Sequence, residues 1–295
     1  MRIYNSLRTG IFRALRSWKS VLIVWFIMFI LVSVFMYPLR SSADSAFGTS
    51  MITEKLSAGF DIEIFADLGP LFKSLVSFFL SGILMAYLAG FILNSFLTGG
   101  LFNIVRENKG QFSGREFFRA GALNFWPFLF ISLIVTIVII LLGLVLVRIP
   151  SLIAGASETI SEKGAFYIVI SGIVVFLVII PLPVLIADYA RAWKTVNANS
   201  SCFRALGFGF SYTFRNFLSS FFTMVPLIIF QIILGYLILT ILSGWRPVTG
   251  GGLFLLLIIS QLMLCFRILL KVWRYASITY LFEGSIKADP VINNF

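Results

Sequence analysis

Six long apolar stretches alternate with short polar segments along this chain of 295 residues. They are Val21–Tyr37, Leu71–Leu97, Phe125–Val147, Phe166–Ala187, Phe217–Leu242 and Leu253–Val272. Crossing the ~30 Å hydrocarbon core takes about 20 apolar residues in a helix, the one open-ended structure that satisfies its own backbone where there is no water. The pattern therefore predicts an all-α polytopic membrane protein with six transmembrane helices. Together they form a single integral membrane domain over residues 1–295. The first run is read as a retained helix, because it and the charged segment before it are both longer than a signal peptide uses.

The polar segments carry their own periodicity. Within Ile3–Lys19, Ile3, Leu7, Ile11, Ala14, Leu15 and Trp18 share one helical face while Arg2, Arg13 and Arg16 gather opposite. That is the pattern of a helix half sunk among headgroups, expected over residues 3–19. The elbow from Pro181 to Phe217 has the same character, and Phe12-Arg13-Ala14, Phe118-Arg119-Ala120 and Phe203-Arg204-Ala205 stand at corresponding places before spans one, three and five. Three repeated hairpins, each entered through an interfacial amphipathic helix, would account for this. Pro181 and Pro183 should kink or loosen the fourth span near its end, and Pro226 with Gln231 interrupt the otherwise apolar run of the fifth. Gly82, Ala86 and Gly90 form a small-residue ridge, suited to close helix packing inside the bundle or to a homo-oligomer contact. The outer segments are expected to hold a short helix at Met51–Phe65 and a tight turn around Trp245, Arg246 and Pro247.

Composition agrees with the pattern: 59% of residues are hydrophobic, 12% are charged, and the mean hydropathy is +1.01. The net charge of +11 would otherwise suggest a nucleic-acid partner. Most of the basic residues, however, fall on one side of the six-span threading, in the N-terminal segment, the second and fourth loops and the C-terminal part. Such loops stay in the cytoplasm, so both termini are expected there. The charge then faces lipid headgroups, at about 1 kcal/mol per basic residue near an anionic surface. The partners this implies are anionic membrane lipids, with a membrane protein partner or a second copy as further possibilities, and no nucleic acid.

Candidate chemistry is sparse. There is no histidine, and the two cysteines, Cys202 and Cys265, are too few for a thiolate metal site. No acid pair lies within a span, and neither a phosphate-binding glycine loop nor a nucleophile elbow is present. The chain is therefore expected not to be an enzyme and to use no metal and no cofactor. In the sixth span Arg267, Lys271 and Arg274 share one helical face, with Arg267 roughly 21 Å along the helix from Leu253. Basic residues at that depth mark a lipid-phosphate or anion site, or else an inner basic flank. Arg191 and Lys194 at the end of the fourth span add to such a site. Asp188 precedes them and is expected to pair with Arg191, or across the bundle with Arg267 or Lys271, as an ion pair or gate. Gln231, Gln261 and Asn94 read as hydrogen-bond glue between helices.

Gly99, Gly100 and Leu101 closing the second span, Arg106 and Gly110 after them, Asp188 after the fourth span, and Ser200–Ala205 leading into the next amphipathic segment carry a resemblance. The chain resembles uncharacterised prokaryotic six-helix membrane proteins, related to the membrane domain of some glycerophosphodiester phosphodiesterases. The resemblance implies a membrane module in the plasma (inner) membrane of a prokaryote. The phosphodiesterase catalytic domain and its histidines have no counterpart, so no hydrolase activity is implied. The expected function is to bind or organise lipids, or to support a membrane partner, through basic cytoplasmic elbows. The alternative is a transporter or channel for a small or amphipathic solute.

Overall fold

The computed structural model describes residues 2–47, 69–107, 112–156, 161–244 and 249–288. Every element among them is helical: α1 (Arg2–Arg16), α2 (Trp18–Phe47), α3 (Gly69–Glu107), α4 (Gly114–Gly143), a π-helical turn (Leu144–Arg148), α5 (Ile149–Ala156), α6 (Glu162–Ile179), α7 (Pro181–Val196), α8 (Cys202–Arg215), α9 (Phe217–Gly244) and α10 (Gly250–Ala288). Six stretches are long and apolar enough to cross a bilayer: Trp18–Ser42, Val76–Glu107, Gly114–Ala156, Glu162–Val196, Phe217–Ile241 and Gly250–Gly284. The protein is a multi-pass helical membrane protein. Met51–Phe65, Lys109 and the Trp245–Pro247 turn lie outside the described residues.

Local sequence explains most helix boundaries. Ser113, Ser161 and Ser201 each accept a hydrogen bond from the backbone N–H three residues on, at 3.3, 3.2 and 3.3 Å. Each hydroxyl thus satisfies a donor that the first turn leaves open. At Ser113 the third helical residue is Glu116, completing the spacing of a capping box. Pro181 and Pro183 separate α6 from α7 at Ile180, as the missing donors require. Pro226 and Gln231 break the apolar pattern of the fifth span but not its helix, and α9 runs continuously through both.

The helices outrun their apolar runs. α3 has 39 residues, or roughly 58 Å at ~1.5 Å per residue, against about 40–45 Å for a whole bilayer. The reason is visible in α10. Its N-terminal half exposes Leu253, Phe254, Leu257, Leu262 and Phe266, while its C-terminal half buries Ile268, Leu270, Val272, Tyr275, Ala276, Ile278 and Phe282. α6 and α7 divide in the same way, exposed from Phe166 to Val178 and mostly buried from Pro183 to Lys194. Hydropathy marks the half that faces lipid. The other half is covered by protein and can afford small and polar residues.

The chain forms two compact units, residues 23–94 and residues 1–22 with 95–295. In the first, the α2 and α3 segments pair closely, with Leu31 against Gly90 and Leu39 against Gly82. The small-residue ridge is thus used within the hairpin.

In the second unit the core surrounds the C-terminal ends of α3, α7 and α10, sheathed by the start of α4, by α8 and by α1. Each seam closes on a glycine: Gly100 on Phe117, Gly209 on Ile186 and Ala190, and Gly10 on Ser277. A Cβ at Gly100 would lie 2.7 Å from the Phe117 ring, so these backbones approach as only glycine allows. α1 also hydrogen-bonds to α10, Ser6 Oγ donating to the Ser277 carbonyl at 2.9 Å and Trp273 Nε1 to the Leu7 carbonyl at 2.9 Å.

α1 differs from its expected seating. The residues it buries are Ser6, Gly10, Ala14 and Ser17, a small-residue ridge against protein. Leu15 and Trp18 of the apolar stripe remain 49% and 54% exposed. The three Phe-Arg-Ala segments share a buried alanine, Ala14, Ala120 or Ala205, but are not held alike. The first belongs to a helix running in the same direction as α10, the second opens α4, and the third runs opposite to α7.

Candidate functional site

The expected site residues lie on two helices that meet in the second unit. α7 carries Asp188, Arg191 and Lys194 within its last turns, and α10 carries Arg267, Lys271 and Arg274. The C-terminal ends of α3, α7 and α10 converge pairwise. Arg106 of α3 donates to the Thr195 carbonyl of α7 at 2.6 Å. Phe102 of α3 stacks on Tyr275 of α10 with centroids 4.4 Å apart. Asp188 joins α7 to α10.

Asp188 is fully buried and sits between two guanidinium groups. Its Oδ1 accepts from Arg191 Nη1 at 2.9 Å, and its Oδ2 lies 2.9 Å from Arg274 Nε. The first contact is an aligned hydrogen bond. The second is close but not aligned as one, so it is held mainly by charge. Arg191 reaches on to α4, donating through Nη2 to Ser132 Oγ at 2.8 Å. Ser132 Oγ donates to the Phe128 carbonyl at 2.7 Å and accepts from Ser95 Oγ of α3 at 3.5 Å. One carboxylate thus ties four helices through two arginines and two serines. A carboxylate in such a place is tolerable only because it is paired and hydrogen-bonded.

Tyr275 lies against the same cluster. The Arg274 guanidinium carbon is 5.2 Å from its ring centroid and Lys271 Nζ is 5.7 Å from it, distances at which a cation is attracted to the aromatic face. Arg191 and Arg274 therefore share a single acid, and Lys271 joins Arg274 against the Tyr275 ring.

The expected residues separate into groups. Asp188 and Arg191 pair as the i, i+3 spacing suggests. The partner across the bundle is Arg274, one or two helical turns beyond the expected Lys271 or Arg267, because the closest approach of α7 and α10 falls there. Lys194 is buried and turned back onto its own loop, donating to the Ala198 carbonyl and to the Ser200 carbonyl, the latter at 2.7 Å. Arg267 is exposed and lies at the edge of a cleft of about 150 Å³ between α9 and α10, whose other lining is almost all apolar. Gln231 is exposed, whereas Gln261 and Asn94 are half-buried. Cys202 and Cys265 are free thiols.

Sequence reasoning missed Ser132, Ser95 and Tyr275. The hydroxyls were legible as polar residues inside or beside apolar runs, but nothing in their spacing says which arginine they serve. Tyr189, next to Asp188, was also missed; it is buried and bonded to Ser220 at 2.8 Å. Among the described residues the cluster holds no second carboxylate to share a proton with Asp188. Its groups are suited to holding helices together and to presenting positive charge. Among the described residues no three metal-ligating side chains come together. Comparison of the chain with protein-family models, with curated proteins and with solved structures finds no match.

Proposed function

We propose that this protein is a non-enzymatic membrane module that holds anionic lipid against its basic end, with both termini in the cytoplasm of a prokaryote and the module in its plasma membrane. The observation that carries this reading is the outer face of α1 and α8. α1 leaves Tyr4, Phe12 and Leu15 exposed beside exposed Arg8 and Arg16, with Trp18 exposed where α2 begins. α8 leaves Phe203, Phe210 and Phe214 exposed beside Arg204. Aromatic side chains that sink below the headgroups, with cations at headgroup height, are what an interfacial helix requires. The internal cluster supports the reading indirectly. Arg191, Arg274 and Lys194 are engaged within the protein, leaving lipid to the exposed cations and Arg267.

The test replaces Arg8, Arg16, Lys19 and Arg204 with Gln and measures lipid retained through purification by mass spectrometry. The expected result is loss of most anionic lipid relative to zwitterionic lipid, with the fold intact. Unchanged lipid content would refute the reading. Reaction of Cys202 with an impermeant maleimide added outside intact cells would refute the orientation.

A second reading, transport of a small or amphipathic solute, is favoured by one observation: a sealed acid between cations of two helices at one end of the spans, the form an inner gate takes. Its test is solute flux in vesicles with Asp188→Asn, which should leak if the ion pair closes a path.

A further inference from the structure

A cavity of about 210 Å³ lies between α1, α7, the junction of α8 with α9, and the C-terminal end of α10. Asn5, Asn216, Ser219 and the hydroxyl-bearing rings of Tyr189, Tyr212 and Tyr280 line it. Two of these are already engaged, Tyr189 with Ser220 at 2.8 Å and Tyr212 with the Leu281 carbonyl at 3.4 Å. Asn216 Nδ2 reaches the Tyr212 carbonyl only at 3.5 Å, which leaves its own carbonyl oxygen open. The side chains of Asn5, Ser219 and Tyr280 make no hydrogen bond among the described residues, and the Ser219 backbone carbonyl accepts from Thr223 Oγ1 at 2.7 Å. Polar groups therefore point into a partly enclosed space from four directions with bonding capacity to spare.

The chemistry of the lining narrows the occupant. Among the described residues none that lines the cavity is charged. The Arg13–Glu283 ion pair, at 3.0 Å, lies beside the Tyr280 ring, outside the lining. Hydrogen bonding rather than charge is what these lining residues offer a ligand. Hydroxyls and side-chain amides both donate and accept, so they match a ligand that also does both at several points. Tyrosine rings add faces against which the C–H face of a saturated ring can lie. The volume corresponds to roughly seven waters at ~30 Å³ each, space enough for one ring with its hydroxyls. Asn216 and Ser219 flank Phe217, where the apolar run of α9 begins, so the opening stands at the level where headgroups meet hydrocarbon.

We propose that this cavity binds a single uncharged, polyhydroxylated ring, carried either as the headgroup of a lipid or free in solution. The site shares no residue with the exposed basic faces, and it stands whether or not those faces select anionic lipid.

The experiment uses the full chain in phosphatidylcholine nanodiscs. In one arm, vesicles containing monoglucosyl diacylglycerol and phosphatidylserine are offered and retained lipid is read by native mass spectrometry. In the other, glucose and myo-inositol are titrated by calorimetry. Ser219→Leu fills the cavity, and Asn5→Ala, at an exposed position on α1, removes one donor–acceptor group without touching the core. Glucolipid retention, or binding of the free polyols, should be abolished by Ser219→Leu. Asn5→Ala should weaken it by about fivefold, the loss of one net hydrogen bond. Phosphatidylserine content should be unchanged in both variants, which separates this site from the basic faces. Response in the first arm alone assigns the ring to a headgroup, and response in the second to a soluble polyol. Should neither arm show binding, or should Asn5→Ala and Ser219→Leu both retain as much as the parent, the cavity holds water only and the proposal fails.

Discussion

Replacing Asp188 with Asn keeps the size of the side chain and removes the charge on which α7, α10 and α4 converge. Arg191 and Arg274 would then face each other and Lys271 with no acid between them. Arg191 and Arg274 are only 11% and 18% exposed, so water can replace little of what is lost. Breaking a buried pair from one side costs about 3–5 kcal/mol, and the lower end applies here because both arginines keep some solvent. At about 2–4 °C per kcal/mol for a chain of this size, melting should fall by roughly 6–12 °C. The assay is thermal unfolding in one detergent, followed by tryptophan fluorescence, with Arg191→Gln and Arg274→Gln beside it. Arg191→Gln should cost more than Arg274→Gln, since it removes both an aligned bond to Asp188 and the bond to Ser132. Each double variant with Asp188→Asn should be less damaging than the sum of its singles, as contacting charges require. A melting point for Asp188→Asn within about 1–2 °C of the parent, equivalent to about 0.5 kcal/mol, or strict additivity, would show that the carboxylate does not hold these helices.

Two other outcomes follow from the seams. Gly10→Leu forces a side chain into Ser277 and should release α1 from α10, read as tryptic cleavage after Arg13 that is faster than in the parent. Lys194→Met leaves the Ala198 and Ser200 carbonyls without their donor; a loss of about 1–3 kcal/mol is expected, with faster hydrogen exchange across residues 197–201.

The apolar pattern was enough to locate six crossings, because lipid-facing length is written directly into hydropathy. It understated the helices wherever protein replaces lipid as the neighbour. Ser95 to Gly100 look like the end of a span, yet they continue α3 because Phe117, Ala120 and Gly121 cover them. The buried face of α1 was misjudged for a related reason. Ser6, Gly10, Ala14 and Ser17 have little hydropathy to announce them, and what places them inside is their smallness. At the site, Asp188 with Arg191 could be read from spacing along one helix. Arg274 could not, since its closeness depends on how far α10 slides along α7, and the basic face offers three cations for that place.

The seam between α1 and α10 also sets an order of events during biosynthesis. Ser6 and the carbonyl it contacts are separated by 271 positions. At roughly 5–20 residues per second, a ribosome needs about 15–55 s between making one and making the other. Throughout that interval α1 has no α10 to clasp, so its small-residue face of Ser6, Gly10 and Ala14 waits uncovered. Docking of α1 therefore cannot precede synthesis of Ser277, and slow elongation through α10 would prolong the wait.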